Sequence, residues 1–227
     1  MELVFNRKSG NKIIDISCGN IITVQTDDLN SFVEKISLER NISIVNYDID
    51  FLGDNFLECL NYVYDSYDVV LLKELLVIFG MKYDIVNVSF DMLSFTEKVF
   101  LSIVRDLLNN SKIVFFIDIF KYLDYNSEKK VLEMLLYLKN KRYYIFVSSS
   151  DVNVLYKIGD YSLVMWKKYL DYGKCDILYT NVGELIKNGV TPPALPFITY
   201  IAKRDKNVKL FYSKDVRDII KDIYKHV

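Results

Sequence analysis

The order of apolar and polar residues predicts strands and helices that alternate along most of the chain. In its first part the pattern predicts a strand pair, a strand, a helix, a strand and a helical stretch, at residues 3–16, Ile21–Gln25, Leu29–Leu38, Ile42–Val45 and Asn55–Phe79. Asp27 or Asp28 is a candidate cap for the helix that follows the third strand. Gly80 is expected to end the helical stretch.

The middle of the chain has the clearest pattern. It predicts a helix capped by Ser94, a buried strand that closes on a carboxylate, a second helix beginning at Asn126 or Ser127, and a second strand. These elements cover Phe95–Asn109, Lys112–Asp118, residues 126–139 and Tyr143–Val147. Strands that alternate with helices in this order predict a right-handed, mainly parallel α/β sheet with flanking helices.

The last part of the chain predicts a hairpin, a short helix and two further helices. They cover Tyr161–Trp166 with Cys175–Tyr179, then Val182–Lys187, then Leu195–Lys225, where Ser213 caps the second helix. We therefore expect a head at residues 1–180, with a helical insertion at about 55–90. A small C-terminal helical extension follows at residues 181–227.

Composition narrows the class of protein. Hydrophobic residues make up 51% of the 227 residues and charged residues 26%, which is typical of a compact domain with a substantial core. Cys18, Cys59 and Cys175 are odd in number and lack a companion His cluster, which argues against a disulfide framework or a zinc site. The chain shows no signal-peptide pattern and no apolar run of about 18 residues, so we expect a cytoplasmic protein.

The net charge of the chain is −1, so the protein as a whole does not attract an anionic partner such as DNA. A binding site for such a partner would have to be a local patch of basic residues. The candidate DNA-binding residues are the basic clusters Lys139, Lys141, Arg142, Lys167, Lys168, Lys203, Arg204 and Lys206. Asp118 is the candidate metal ligand, with the alternative that it caps a turn or meets a basic group. Ser148–Ser150 has no histidine nearby, which favours a loop or capping role over catalysis.

From Phe79 to Asp160 the order of motifs resembles the second half of an ABC-type ATPase, which has a P-loop NTPase fold. Phe90–Lys98 resembles a decayed signature motif, in which Phe95 and Thr96 replace both glycines of Leu-Ser-Gly-Gly-Gln. Side chains at these two positions hinder the approach of a phosphate to the backbone.

The other catalytic positions have changed as well. The strand that ends at Asp118 resembles the Walker B strand and Leu123-Asp124 resembles the D-loop, but Ile119 occupies the position of the catalytic glutamate. The switch histidine is missing, because His226 is the only histidine of the chain. Without a glutamate carboxylate at the position of Ile119, no side chain orients the attacking water.

The Walker A position shows the largest loss. The family has a Gly-rich turn followed by Lys and Ser or Thr, which aims backbone N–H groups and a lysine at the phosphates. This chain has Gln25-Thr26-Asp27-Asp28-Leu29 there, with two negative charges at the start of the helix. The sequence therefore predicts a pseudo-ATPase that neither binds nor hydrolyses ATP.

These features together resemble the Csn-two family of type II-A CRISPR adaptation proteins. The resemblance is carried by the strand pair that leads to Gly19–Thr23, by Lys112–Leu123, and by the helical extension after Leu195. It implies a homotetrameric ring that holds double-stranded DNA ends during spacer acquisition, with CRISPR adaptation and effector nucleases as partners. It also implies Ca²⁺ without ATP, although no calcium ligand can be matched residue by residue.

A second resemblance points to a different function. Phe79-Gly80-Met81 and the tail after Pro192-Pro193 resemble ATPases of energy-coupling-factor transporters. This alternative implies a catalytically dead subunit that pairs with an active ATPase and a membrane component. The joint loss of all nucleotide elements favours DNA binding, since a transporter subunit usually keeps its Walker A lysine.

Overall fold

The computed structural model describes residues 1–7, 10–39, 41–46, 49–206, 208, 210 and 213–225, and for residues 6, 7, 10, 11, 38, 39 and 206 it describes the backbone only. Contacts group the chain into two compact units. The first unit contains Met1–Asn20 and Asn30–Val147, and the second contains Ile21–Leu29 and Ser148–Val227. The predicted boundary near residue 180 lies inside the second unit and stays a prediction.

The elements follow one another largely in the predicted order. The strands are β1 (Glu2–Arg7), β2 (Gly10–Asp15), β3 (Asn20–Thr26), β4 (Ser43–Val45), β5 (Ile113–Ile117), β6 (Tyr144–Ser148), β7 (Tyr161–Trp166) and β8 (Tyr169–Lys174). The helices are α1 (Leu29–Glu39), α2 (Phe56–Val63), α3 (Val69–Ile78), α4 (Phe95–Leu107), α5 (Tyr125–Asn140), α6 (Val152–Ile158), α7 (Cys175–Thr180), α8 (Val182–Lys187), α9 (Ala194–Lys206) and α10 (Val216–Ile223).

The fold is mixed α/β, with a mainly parallel sheet and flanking helices. In the first unit β1 and β2 form an antiparallel hairpin, β4 pairs in parallel with β5, and β6 is the next neighbour of β5. In the second unit β3 pairs in parallel with β7, and β7 pairs antiparallel with β8. The sequence predicts the turn of this hairpin at residues 8–11, of which residues 8 and 9 lie outside the described part of the chain.

Aromatic rings form much of the core of the first unit. Phe32 of α1 packs edge-on against Phe115 of β5 and Phe146 of β6, with ring centroids 5.8 and 6.2 Å apart. At the end of the helical insertion, Phe79 stacks on Phe100 of α4 at 4.4 Å. Gly80 follows with a φ of +68°, which ends α3 as the sequence predicts.

Four details of the prediction are wrong. The second strand of the hairpin is β8, and Cys175–Thr180 forms a helix that buries Cys175, Leu178 and Tyr179. The reason is a turn of only two residues, Lys167-Lys168, with Lys167 at a φ of +53°, which returns the chain earlier than the apolar pattern suggests. Helix α5 begins at Tyr125, with Asp124 as its cap, just before the predicted start at Asn126 or Ser127. Helix α10 is capped by Asp215 rather than Ser213. Helix α6 was not anticipated.

The degenerate nucleotide-binding elements

At the position that resembles Walker A, the backbone amides form hydrogen bonds with other groups of the chain. Only Asp27 and Asp28 link β3 to α1, too few residues for the Gly-rich loop of a P-loop. The amide of Asp27 donates to the Met165 carbonyl at 3.3 Å, and the amide of Asp28 donates to Thr26 Oγ1 at 3.1 Å. The carboxylate of Asp27 accepts from the Lys167 amide at 2.9 Å. These amides are therefore engaged within the chain and are not directed at an anion.

Gln25, near the end of β3, also has hydrogen-bond partners within the chain. Its Nε2 donates to the Thr191 carbonyl at 3.1 Å, and its Oε1 accepts from the Tyr179 hydroxyl at 3.2 Å. Burial raises the pKa of Tyr179 well above its usual value, so this hydroxyl stays protonated as a donor. The end of β3 is therefore tied to α7 and to the segment before α9.

At the Walker B position Asp118 follows directly after β5. Its φ is +52°, and its carbonyl accepts from the Lys121 amide at 2.9 Å, so the chain turns immediately after the strand. Ile119, at the position of the catalytic glutamate, is buried with 1% of its surface exposed. A buried isoleucine side chain cannot act as a general base or orient a water molecule.

No metal centre is evident in the part of the chain that the structure describes. That part contains no group of three or more His, Cys, Asp and Glu side chains that could hold a metal ion. Calcium prefers six to eight oxygen ligands, so Asp118 would need several more donors. Metal binding at Asp118 stays a prediction.

Asp124, at the D-loop position, caps α5. Its carboxylate accepts from the Ser127 amide at 2.8 Å, and this hydrogen bond is the main cause that lowers the pKa of Asp124. Asp124 therefore supplies a negative charge to the positive end of its own helix.

The signature position carries a complete capping box. The Ser94 hydroxyl accepts from the Glu97 amide at 3.3 Å, and Glu97 Oε2 accepts from the Ser94 amide at 2.8 Å. The hydrogen bonds with Ser94 lower the pKa of Glu97, which keeps this carboxylate charged at the start of α4. An internal carboxylate thus occupies the helix end, while Phe95 stands half exposed beside it.

The segment at the switch-histidine position makes loop and capping contacts. The Asp151 amide donates to Ser149 Oγ at 3.1 Å, and the Asp151 carboxylate accepts from the Asn153 amide at 2.8 Å. Asp151 therefore caps α6, while Ser149 makes a loop contact just before the helix.

The basic cluster of the first unit lies at the end of α5. Lys139 is partly buried, and the ammonium of exposed Lys141 is 3.5 Å from Glu74. Arg142 is exposed, with a φ of +59°, and its guanidinium is 3.6 Å from Cys18 Sγ. The pairing with Glu74 reduces the positive charge that Lys141 offers to a phosphate.

The remaining basic candidates lie in the second unit. Lys167 and Lys168 form the exposed turn between β7 and β8. Lys203 and Arg204 are exposed on the last turns of α9, where the Arg204 guanidinium is 2.6 Å from Asp205. The side chain of Lys206 lies outside the described part of the chain. A role of these residues in DNA binding stays a prediction.

One lysine that the sequence did not single out joins three elements of the first unit. The Lys130 ammonium donates to the Phe79 carbonyl at 2.7 Å and lies 5.5 Å from the centroid of the Phe100 ring. It fixes the end of α3 and the flank of α4 to α5. Nothing in the local sequence distinguishes Lys130 from neighbouring Lys129, so only the tertiary structure reveals this role.

Comparison with solved structures identifies the fold as that of ABC ATPase cassettes. CbiO1 from Clostridium perfringens, part of the ABC transporter complex CbiONQ, aligns with a TM-score of 0.61 and 14% identity over 89% of this chain and 96% of its own. An inward-facing ABC transporter described as of the metal-chelate type gives a TM-score of 0.61 and 13% identity, over 78% and 80% of the two chains. The dimeric cassette MJ0796, with ADP and Pi bound, gives 0.53 and 16% identity over 77% and 96%.

The other two comparisons give no match. No protein-family model matches the sequence, and no curated protein matches it. None of the comparisons shows a relation to CRISPR adaptation proteins. Among the described helices, none is both long and apolar enough to cross a membrane.

Proposed function

We propose that this chain is a non-hydrolysing ABC-type subunit that pairs with an active ATPase in a transporter of the energy-coupling-factor type. The observation that carries the proposal is a cassette fold over 89% of the chain in which the Walker A link, Ile119 and Phe95 all lack nucleotide chemistry. Such a chain can keep the shape through which cassettes associate without contributing to hydrolysis.

The local contacts support the absence of hydrolysis. Asp27 and Asp28 bring negative charge to the place where a P-loop would receive a triphosphate, and two like charges a few ångströms apart repel by about 1 to 4 kcal/mol near a protein surface. The amides of this link already have partners. Binding of ATP in the usual P-loop mode would have to break these contacts and overcome that repulsion.

The solved relatives support a transporter role over a DNA-holding ring. CbiO1 and the metal-chelate type protein are both parts of ABC transporters, and the alignment with CbiO1 covers 96% of that chain. The DNA hypothesis, with a homotetramer, Ca²⁺ and CRISPR nucleases, rests on the sequence resemblance alone. It would act through the basic candidates, of which the exposed ones are Lys141, Arg142, Lys167, Lys168, Lys203 and Arg204.

The first test is purification of the tagged chain from membranes of its own host, followed by mass spectrometry. We expect a P-loop ATPase with an intact Walker A lysine and an integral membrane protein to co-purify. Calorimetric titration of the purified chain with Mg-ATP should show no binding. A tetramer that binds short linear duplex DNA, releases it as salt rises, and recovers no ATPase would instead support the DNA ring and reject the transporter role.

A further inference from the structure

The helical insertion that contains α2 and α3 starts and ends at one place. The chain enters it through residues 49–55 and leaves it through residues 88–93, and these two connections are joined to each other. The Phe90 amide donates to the Asp54 carbonyl at 3.0 Å, and Asn55 pairs with Ser89 in an antiparallel bridge. The insertion can therefore change its orientation only if both connections move together.

The ring of Phe51 contacts both connections and α4. It stacks on the Phe90 ring of the exit connection, with centroids 4.3 Å apart and planes inclined by 13°. It also packs edge-on against Phe56 at the start of α2, at 6.2 Å. The guanidinium of Arg105 on α4 lies 5.4 Å from the Phe51 centroid. Phe51, Phe90 and Arg105 thus join the entry, the exit and α4 at one point, and we call these three residues the latch.

Arg105 is itself held in place by several partners. Only 9% of its surface is exposed, its Nη1 donates to the Asp50 carbonyl at 3.0 Å, and its Nε is 2.9 Å from Asp106. The Tyr64 hydroxyl, just after α2, donates to the Arg105 carbonyl at 2.7 Å. Burial raises the pKa of Tyr64 to about 12, so this donor stays protonated. A buried guanidinium with these partners is costly to displace, because its charge would lose its compensation.

The far side of the insertion is attached as well. The Tyr137 hydroxyl of α5 donates to the Glu74 carboxylate of α3, and the Lys130 ammonium donates to the Phe79 carbonyl at the end of α3. The insertion is therefore held where the chain enters and leaves it, and also along α3. Attachment at two separate places leaves no single axis about which the insertion could turn freely.

We propose that the latch keeps the helical insertion in one orientation relative to α4 and α5, with or without Mg-ATP. Stacked rings and a cation beside a ring each stabilise such a contact. The outer surface of α2 and α3 is then pre-formed, so that a protein binding there loses no free energy to ordering the insertion. The inference goes beyond the proposed function and does not depend on it, because it concerns the chain alone.

The first experiment measures hydrogen exchange at the Phe90 amide of the purified chain by NMR. Phe51→Ser removes the ring, and we expect exchange about tenfold faster, as for the loss of an aromatic pair. Phe51→Tyr keeps a ring and should exchange like wild type, as should the control Leu52→Ser at a neighbour that is 59% exposed. Should Phe51→Ser also lose protection in β5, Phe90→Leu takes its place with the same expectation. Wild-type exchange without the ring, or equally fast exchange in Phe51→Tyr, would overturn the latch.

The second experiment measures a distance across the insertion with two spin labels. The labels replace exposed Tyr62 of α2 and exposed Glu133 of α5, in a chain that carries Cys18→Ser, since Cys59 and Cys175 are buried. We expect a single narrow distance that Mg-ATP leaves unchanged, a broad distribution in Phe51→Ser, and a narrow one again in Phe51→Tyr. Two distances in wild type, or a shift with Mg-ATP, would refute the inference. Neither result bears on the proposed function, which co-purification of an ATPase tests separately.

Discussion

Single residues at the positions that resemble nucleotide-binding motifs have local structural roles. The carboxylate of Asp27 holds the amide of Lys167, Asp124 caps α5, and Ser94 with Glu97 closes a capping box on α4. The contacts of Asp124 on α5 and of Ser94 with Glu97 on α4 stabilise helix starts, so their contribution can be measured as stability without any ligand.

The capping box gives the first test. Ser94→Ala removes the hydroxyl that accepts from the Glu97 amide, and loss of an N-cap costs about 1 kcal/mol. We expect the free energy of unfolding, measured by urea denaturation, to fall by about this amount. Ser17→Ala, at an exposed residue outside the helices and strands, should leave it unchanged. An equal effect of both variants would contradict the capping role.

The carboxylate of the same box should make stability depend on pH. Because the hydrogen bonds with Ser94 lower the pKa of Glu97 below the ordinary 4.5, its contribution is complete above about pH 4.5 and is lost as pH falls through the lower folded-state value. Glu97→Gln should therefore destabilise the protein at pH 7, and the difference from wild type should shrink towards pH 3. Urea denaturation across this range is the measurement, with Glu133→Gln on the exposed side of α5 as control.

At the scale of elements, short connections decide the architecture. The link between β3 and α1 has two residues, and the turn between β7 and β8 also has two. The first leaves no room for a P-loop, and the second brings Met165 and Lys167 beside Asp27. The two short connections together explain why the backbone amides just after β3 have hydrogen-bond partners within the chain.

Close packing at the end of α6 gives a test of the second unit. A Cβ on Gly159 would lie 2.8 Å from Thr23 Cγ2 and 3.1 Å from Cys175 Sγ, whereas a Cβ on Gly173 of β8 would have no heavy atom within 4 Å. Gly159→Ala should therefore lower the unfolding free energy by about 1–3 kcal/mol, the usual cost of overpacking. Gly173→Ala should be neutral or stabilising by about 0.5 kcal/mol. The measurement is the melting temperature of both variants and of wild type. Equal melting temperatures would refute the packing argument.

The hydrogen bond from Lys130 of α5 to the end of the helical insertion gives another stability test. Lys130→Met keeps much of the apolar stem but removes the donor to the Phe79 carbonyl, a charged hydrogen bond of about 1.5 kcal/mol at this half-exposed site. We expect that loss in urea denaturation, together with faster hydrogen exchange at the end of α3. The control is Lys129→Met. Among the contacts described, the Lys129 ammonium lies only near the exposed Tyr125 ring, so this variant should have little effect. Unchanged exchange in Lys130→Met would show that the end of α3 is held by other contacts.

At the scale of the whole molecule, each unit has its own core. The first is built on Phe32, Phe115 and Phe146, and the second on a cluster that includes Tyr156, Cys175, Tyr179 and Leu185. Helices α7 and α8 both contribute to that second core. Residues far apart in the chain, such as β3 and β7, meet only once the fold has formed.

Thiol reactivity tests this burial directly. Cys59 and Cys175 are buried, with 1% and 0% of their surfaces exposed, and Cys18 is partly exposed. Burial also raises the pKa of Cys175, which lowers its thiolate fraction further. Titration of the folded chain with a disulfide reagent should modify Cys18 rapidly and the other two only after unfolding. Rapid reaction of all three thiols would contradict the two cores.

Much of this architecture was predictable because local patterns agree with it. The helical stripe of α4, the apolar run of β5 and the serine before α4 predict their elements closely, since burial on one face or two fixes the spacing of apolar residues. The hairpin of the second unit was not predictable in this way. Its register depends on a two-residue turn with a positive φ at Lys167, where no Gly, Asn or Asp marks the turn in the sequence. An apolar segment such as Cys175–Thr180 suits either a strand or a helix.

By itself, the sequence predicted most of the order of strands and helices. It also predicted a chain without a P-loop lysine, a catalytic glutamate or a switch histidine, because these are questions of residue type and spacing. Only the tertiary structure decided that the amides at the Walker A position are already engaged, that Lys130 joins α3, α4 and α5, and that Phe51 meets both Phe90 and Arg105. Such facts depend on which side chains meet across the fold, and distance in space is not encoded in any local stretch of the chain.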